Sequence, residues 1–384
     1  MTTPVRTARV GVGADPCADT DRDVSAAVDR ALRDVFRTRR GEALTVDTVF
    51  AEHVVRALTE FALAGCSRRR AALLWWGWRV CGGQRGEESP RAVLDVAAAL
   101  ELIQCCALVH DDVMDGSALR RGRPAVHVDR YGGGQPPDPR GAAPFGWSAA
   151  VLLGDLALVW ADDLVAGATL GAPARERLLP LWRTMRMEMV AGQYRDLNPS
   201  DPASCSPGRA LRTAFLKSAL YSVERPLALG AALAGADRAT RRALRDAGRC
   251  AGLAFQLRDD LLGAFGDPGV TGKPSGDDLR RGKATYLVAV ARKRARESGD
   301  TAALRVLDRA CGDRSLSAAG LDRVRDVLTA TGAPAAVETR IDRLADHWAA
   351  RLHGAGLDAV PLARLLAVLD TAAGRRAPDG GGRP

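Results

Sequence analysis

A chain of 384 residues with 47% apolar residues is long enough to hold one large domain or two ordinary ones, each with a sizeable core. Its net charge of +9 comes from arginines interspersed with Asp and Glu, with no long basic stripe and no aromatic interleaving, which argues against a nucleic-acid-binding surface. The eight Cys form no CxxC pair and no Cys/His zinc spacing, and there is neither a secretory signal nor an apolar run that reads as a membrane span, so a cytoplasmic protein with reduced thiols is expected.

Ala, Leu and Arg dominate and β-branched runs are rare, so the elements expected along the chain are helices. Residues 1–22 are polar and aperiodic and read as a disordered leader. Helical spacing of apolar residues then runs over 24–37, 49–64, 68–80 and 90–115. Residues 131–146 are rich in Gly and Pro and read as a long loop. Helices follow at 147–171, 173–196, 208–234 and 238–265, then a second long loop at 266–282. Segments 283–297, 317–331, 334–355 and 360–373 close the helical pattern, and 374–384 reads as a disordered tail. The two halves share a soft pseudo-symmetry, an Asp-rich helix end followed by an Arg/Gly/Lys loop, which fits one helical bundle over 23–373 better than two domains.

The first acidic helix end carries Asp111, Asp112 and Asp115 after a largely apolar stretch. Asp111 and Asp115 are four apart and share a face, while Asp112 points about a quarter-turn away. A helix C-terminus disfavours negative charge, so carboxylates here call for a counter-ion. An all-oxygen ligand set without Cys or His favours a hard cation, Mg²⁺, held through a few carboxylates plus substrate phosphates. Arg120 and Arg121 follow in an Arg-Arg-Gly-Arg-Pro segment, and guanidinium pairs suit phosphate oxygens.

Asp259 and Asp260 end a second apolar helix, and the loop after them carries Lys273 and Lys283, each preceded by Gly. This is not a P-loop. Of 55 basic residues only four are Lys, so the lysines that persist mark places where a compact ammonium is needed. Lys217, followed by Ser218, stands on an otherwise apolar helix and reads as an anion contact. Two carboxylate-tipped helices facing each other could hold three metal ions around one diphosphate and make it a leaving group, inside a bundle that excludes water from the resulting carbocation.

These motifs resemble those of the trans-isoprenyl diphosphate synthases, the polyprenyl synthetase family, over roughly residues 25–372. Asp111-Asp112-Val-Met-Asp115 is similar to the family's first Asp-rich motif, Asp259-Asp260 to its second, and Gly192-Gln193…Asp196 to its GQxxD element. The resemblance implies an all-α bundle of long antiparallel helices around a deep central cavity, usually a homodimer. It implies that Asp111, Asp115 and Asp259 bind Mg²⁺, three ions in all, with Asp112 and Asp260 in support. It assigns Arg120, Lys217, Ser218, Gln256 and Lys273 to the allylic diphosphate, with Lys283 at its edge, and Arg70, Gln104 and Arg121 to isopentenyl diphosphate. The implied reaction is a head-to-tail 1'-4 condensation. Two departures stand out: Ser67 occupies the place of an expected Lys, with Arg68 or Arg69 as candidates to compensate, and Gly263 ends the second motif where Asp is common.

By the family's logic the growing chain runs past Cys106 and Ala107, five and four residues before Asp111. Small residues there point to the C20 product, geranylgeranyl diphosphate, with farnesyl or longer products as alternatives. Two further readings stay open: a class I terpene synthase-like enzyme that ionises an allylic diphosphate without an acceptor, and a non-catalytic subunit of a heteromeric synthase.

Overall fold

The computed structural model describes residues 15–64, 67–120, 122–129, 144–197, 206–267 and 275–375. The helices that build the bundle are α1 (Val24–Val46), α2 (Arg56–Leu63), α3 (Arg69–Val80), α4 (Pro90–Asp115), α5 (Pro144–Gly167), α6 (Ala172–Leu197), α7 (Pro207–Ala214), α8 (Arg225–Leu233), α9 (Arg238–Phe265), α10 (Tyr286–Glu297), α11 (Thr301–Ala310), α12 (Ala318–Ala330), α13 (Ala333–His353) and α14 (Ala359–Ala372). α7 runs into a π-helical stretch, Phe215–Glu224, that leads into α8. The strands β1 (Leu119–Arg120) and β2 (Arg123–Pro124) pair antiparallel, with Gly122 at φ 73° in their turn.

Local chemistry fixes where the long helices begin and end. Ser89 caps α4 by accepting from the Ala92 N–H, Pro90 occupies the first turn, and Gly116 ends the helix in the left-handed region at φ 61°. Asp237 caps α9 in the same way, accepting from the Thr240 N–H. Both helices match the expected limits, 90–115 and 238–265. α4 packs chiefly on α5, α9 on α13 and on the π-helical stretch, and α8 on α3.

The close approach of α6 to the π-helical stretch depends on Gly192: a Cβ there would lie 2.5 Å from the Lys217 backbone.

Three expectations change. Residues 15–22, read as the end of a leader, are docked: Ala18–Arg22 is a short helix, Cys17 is buried, and Asp21 accepts from Trp75 and Arg79. The first long helix continues past residue 37 to Val46, and α11 lies where no helix was expected. α4, with a mean hydropathy of 2.0 over its most apolar stretch, is long and apolar enough to cross a membrane by length and composition alone, yet most of that stretch is buried inside the protein, which is consistent with the expectation of no membrane span. Its Leu100, Leu102 and Ile103 are fully buried in the bundle. The rest of the expected leader, most of the loop at 131–146, and 376–384 of the expected tail lie outside the described residues.

Candidate active site

The C-terminal ends of α4, α6 and α9 and the π-helical stretch surround a cavity of about 780 Å³. Asp111, Asp259, Arg120, Lys217, Ser218, Gln256, Arg70 and Gln104 line it, together with Cys106 and Ala107 from the wall of α4. Arg121 and Lys273 lie outside the described residues.

Asp111 is the hub of the polar end. It accepts from Lys217 Nζ at 3.1 Å, Gln193 Nε2 at 3.1 Å and Arg120 Nη2 at 3.2 Å. Burial alone would raise its pKa, but Lys217, Lys283 and Arg120 together hold it well below the usual carboxylate range, so it stays ionised. Lys217 also reaches Asp196, and Lys283 bridges Asp196 at 3.4 Å and Asp115 at 2.9 Å. Burial disfavours the charged form of Lys283, yet Asp196 and Asp115 outweigh it and keep the ammonium protonated. Arg281 completes the set, donating to Asp115 at 2.6 Å and to Ser117 at 2.9 Å.

Asp112 and Asp260 face elsewhere. Asp112 is buried against Arg120, which donates to both of its oxygens from Nε at 2.9 and 3.0 Å. The β1–β2 hairpin delivers Arg120 to that position. Asp260 is buried under α10, accepting from Gln256 Nε2 at 2.9 Å and from the Tyr286 backbone N–H at 3.1 Å. Burial pushes its pKa up to about 8. At Gly263, the space an added side chain would enter is taken by Asp278, whose Oδ2 lies 3.2 Å from a Cβ built there.

The wall beneath α3 is cationic. Arg70 lies over the Tyr221 ring, 4.6 Å from its centroid, and donates to Ser222 Oγ at 2.7 Å. Tyr221 donates to Gln104 Oε1 at 3.0 Å, which leaves the Gln104 amide hydrogens for another acceptor. Ser67 and Arg69 line the same wall. Arg68 does not: its backbone is left-handed at φ 44°, and its buried guanidinium bonds Asp29, Glu101 and the Ala62 carbonyl.

Gln193, Asp196 and Arg281 were not among the residues assigned from sequence. The first two stand in the element similar to GQxxD, which carried a signal but no role, and Arg281 sits two residues before Lys283. Among the described residues no three Asp, Glu, His or Cys side chains converge closely enough to hold an ion unaided. The carboxylates are instead held apart by ammonium and guanidinium groups. That donor set fits Mg²⁺, which binds through one or two carboxylates with substrate phosphates supplying further oxygens.

A helical bundle with ionised carboxylates and cations at one end of a deep, partly apolar cavity is built to grip a metal–diphosphate group while burying a hydrocarbon tail. Comparison with known proteins agrees. The polyprenyl synthetase family profile matches residues 51–318, and the chain belongs to that family. Geranylgeranyl diphosphate synthase of Mycobacterium tuberculosis is 39% identical over 236 residues, which span 61% of this chain and 61% of that protein. A short chain isoprenyl diphosphate synthase of Methanothermobacter thermautotrophicus is 30% identical over 278 residues, 72% of this chain and 78% of that one. The crystal structure of geranylgeranyl pyrophosphate synthase from Corynebacterium glutamicum, complexed with isoprenyl diphosphate and magnesium, superposes with a TM-score of 0.83 at 37% identity, covering 91% of this chain and 99% of that one.

Proposed function

We propose that the protein is a trans-prenyltransferase that condenses isopentenyl diphosphate head-to-tail with an allylic diphosphate, giving geranylgeranyl diphosphate. The observation that carries this reading is the polarity of the cavity: Asp111, Lys217 and Asp259 at one end, and Cys106, Ala107, Leu108 and Met189 along the walls that a prenyl tail would follow. The names of the relatives and of the superposed crystal structure support the same product class.

In this reading Asp111, Asp115 and Asp259 hold Mg²⁺, three ions with the diphosphate. Bound there, the ions neutralise charge on the departing diphosphate. Lys217 and Lys283 exchange a carboxylate for phosphate oxygens, with Ser218 and Gln256 as further polar contacts on the wall. Arg120 positions Asp111 and Asp112. Asp260 acts by fixing Gln256 and the start of α10 and stays off the metal. Once the allylic C–O bond breaks, the acceptor double bond attacks the cation, and the released diphosphate removes the proton. The apolar walls keep water from the cation.

Homodimerisation belongs to the proposal. Phe145, Leu152 and Val159 form one exposed stripe on α5, with Met187, Val190 and Tyr194 another on α6; Leu152 is 64% and Tyr194 70% exposed. Apolar stripes of this extent mark an interface, and a second copy of the chain is the partner that the family resemblance implies. Work in the cytoplasm is proposed with it; Cys17, Cys81, Cys105, Cys106, Cys250 and Cys311 are all free thiols.

The test offers purified protein, Mg²⁺ and labelled isopentenyl diphosphate with dimethylallyl, geranyl or farnesyl diphosphate in turn, and sizes the dephosphorylated products by mass spectrometry. A C20 alcohol is expected, with turnover falling by about 10²–10³-fold or more in Asp111→Ala and in Asp259→Ala. A hydrocarbon formed from the allylic substrate alone, with no label incorporated, would replace condensation by cyclisation.

A further inference from the structure

We propose that Arg69 is the second cation of the acceptor-diphosphate subsite, filling beside Arg70 the place that Ser67 leaves without charge; this rests on the condensation reading. Three consecutive arginines begin or precede α3, and sequence alone cannot rank them. The fold divides them. Arg68 is committed to the core by Asp29, Glu101 and the Ala62 carbonyl and cannot reach a ligand. Arg69 and Arg70 both line the cavity, as does Ser67.

Arg69 has the marks of a group waiting for an anion. Its guanidinium lies 4.9 Å from the Phe255 ring centroid and has no hydrogen bond or ion pair among the described residues. Stacking on an aromatic face fixes the plane of the group while leaving its N–H edge available. Arg70 is held the same way over Tyr221, and its buried Nε has no hydrogen-bond partner. Burial and repulsion from Arg70 both press against the charge on Arg69, with Asp259 as the attractive carboxylate. Two neighbouring guanidiniums, partly desolvated and each pinned on a ring, are relieved by a ligand carrying more than one negative charge. A diphosphate accepts from both forks at once, and the free Gln104 amide adds a donor. A lysine at 67 would supply one point charge; Arg69 supplies a planar fork from two residues along.

Isothermal titration of isopentenyl diphosphate into the protein, without an allylic partner, reads this subsite free of turnover. Arg69→Ala is expected to weaken binding by about 10-fold or more, the scale of one lost charge-assisted contact. Arg69→Lys should lose less, and Ser67→Lys in the Arg69→Ala background should restore most of the affinity. In steady state the KM for isopentenyl diphosphate should rise while that for the allylic substrate stays within about two-fold. Unchanged acceptor affinity in a folded Arg69→Ala protein, or no rescue by Ser67→Lys, overturns the assignment. So does a loss confined to the allylic substrate, which would move Arg69 to the other diphosphate. Acceptor binding that depends on Arg69, in a protein making no condensation product, would sink the proposed reaction and keep the subsite.

Discussion

Between Asp259 and Asp260 the helix turns by about 100°, and that rotation separates a carboxylate on the cavity wall from one sealed under α10. Asp260 keeps two donors satisfied, the Gln256 amide and the Tyr286 N–H. Its folded pKa of about 8 lies above the ordinary 3.8. The stability it contributes is therefore complete below about pH 4 and is lost as pH rises through about 8. Chemical denaturation of the metal-free protein should show stability declining across that window, with the decline flattened in Asp260→Asn. Asp260→Ala, which strands both donors, should cost about 1–3 kcal/mol. Side-chain direction is also where the sequence was least informative. The spacing of Asp111 and Asp115 correctly puts both at the polar end of α4. Nothing in the spacing says that Asp112 turns into a bidentate grip by Arg120, or that Arg68 leaves the cavity for Glu101, because those outcomes depend on partners from distant elements.

At the level of elements, α6 and the π-helical stretch approach so closely that Gly192 and Lys217 touch through backbone. The π-helical stretch carries Lys217, Ser218, Tyr221 and Ser222, and such widened turns recur at functional sites. Gly192→Ala should push the two elements apart, lowering stability by about 1–3 kcal/mol and turnover with it, since Lys217 moves off Asp111. Thermal unfolding and steady-state rates on the same preparation check both; a variant as stable and as active as the parent would show that the contact yields. The long helices were legible because caps and apolar period agree, Ser89-Pro90 opening α4 and Asp237 opening α9. The junction at 192–217 was not, since a glycine within a helical pattern does not name its neighbour. α11 was missed as a ten-residue helix with few buried positions, Ala303, Leu307 and Ala310.

Over the whole molecule, the exposed stripe of α6 adjoins the cavity, since Val190 and Tyr194 also line it, while α5 carries a second exposed stripe. Leu152→Arg should shift the protein from dimer to monomer in sedimentation velocity while the far-ultraviolet helix signal stays unchanged; a parent protein that sediments as a monomer would remove the dimer from the proposal. The ammonium bridges at the polar end carry a further implication. Lys217 and Lys283 both rest on Asp196, each also holding a carboxylate of α4, so the protein's own side chains offset one another's charge at this end of the cavity. In the proposed function, a cation that takes Asp111 Oδ1 or Asp115 Oδ2 competes with the ammonium on that oxygen, and an anion that binds the ammonium draws it away from its carboxylate. When they arrive together, each takes the partner the other has vacated. On the proposed function, ion and diphosphate are therefore expected to be thermodynamically linked, each tightening the other's binding by the same factor, on the scale of about 1–3 kcal/mol.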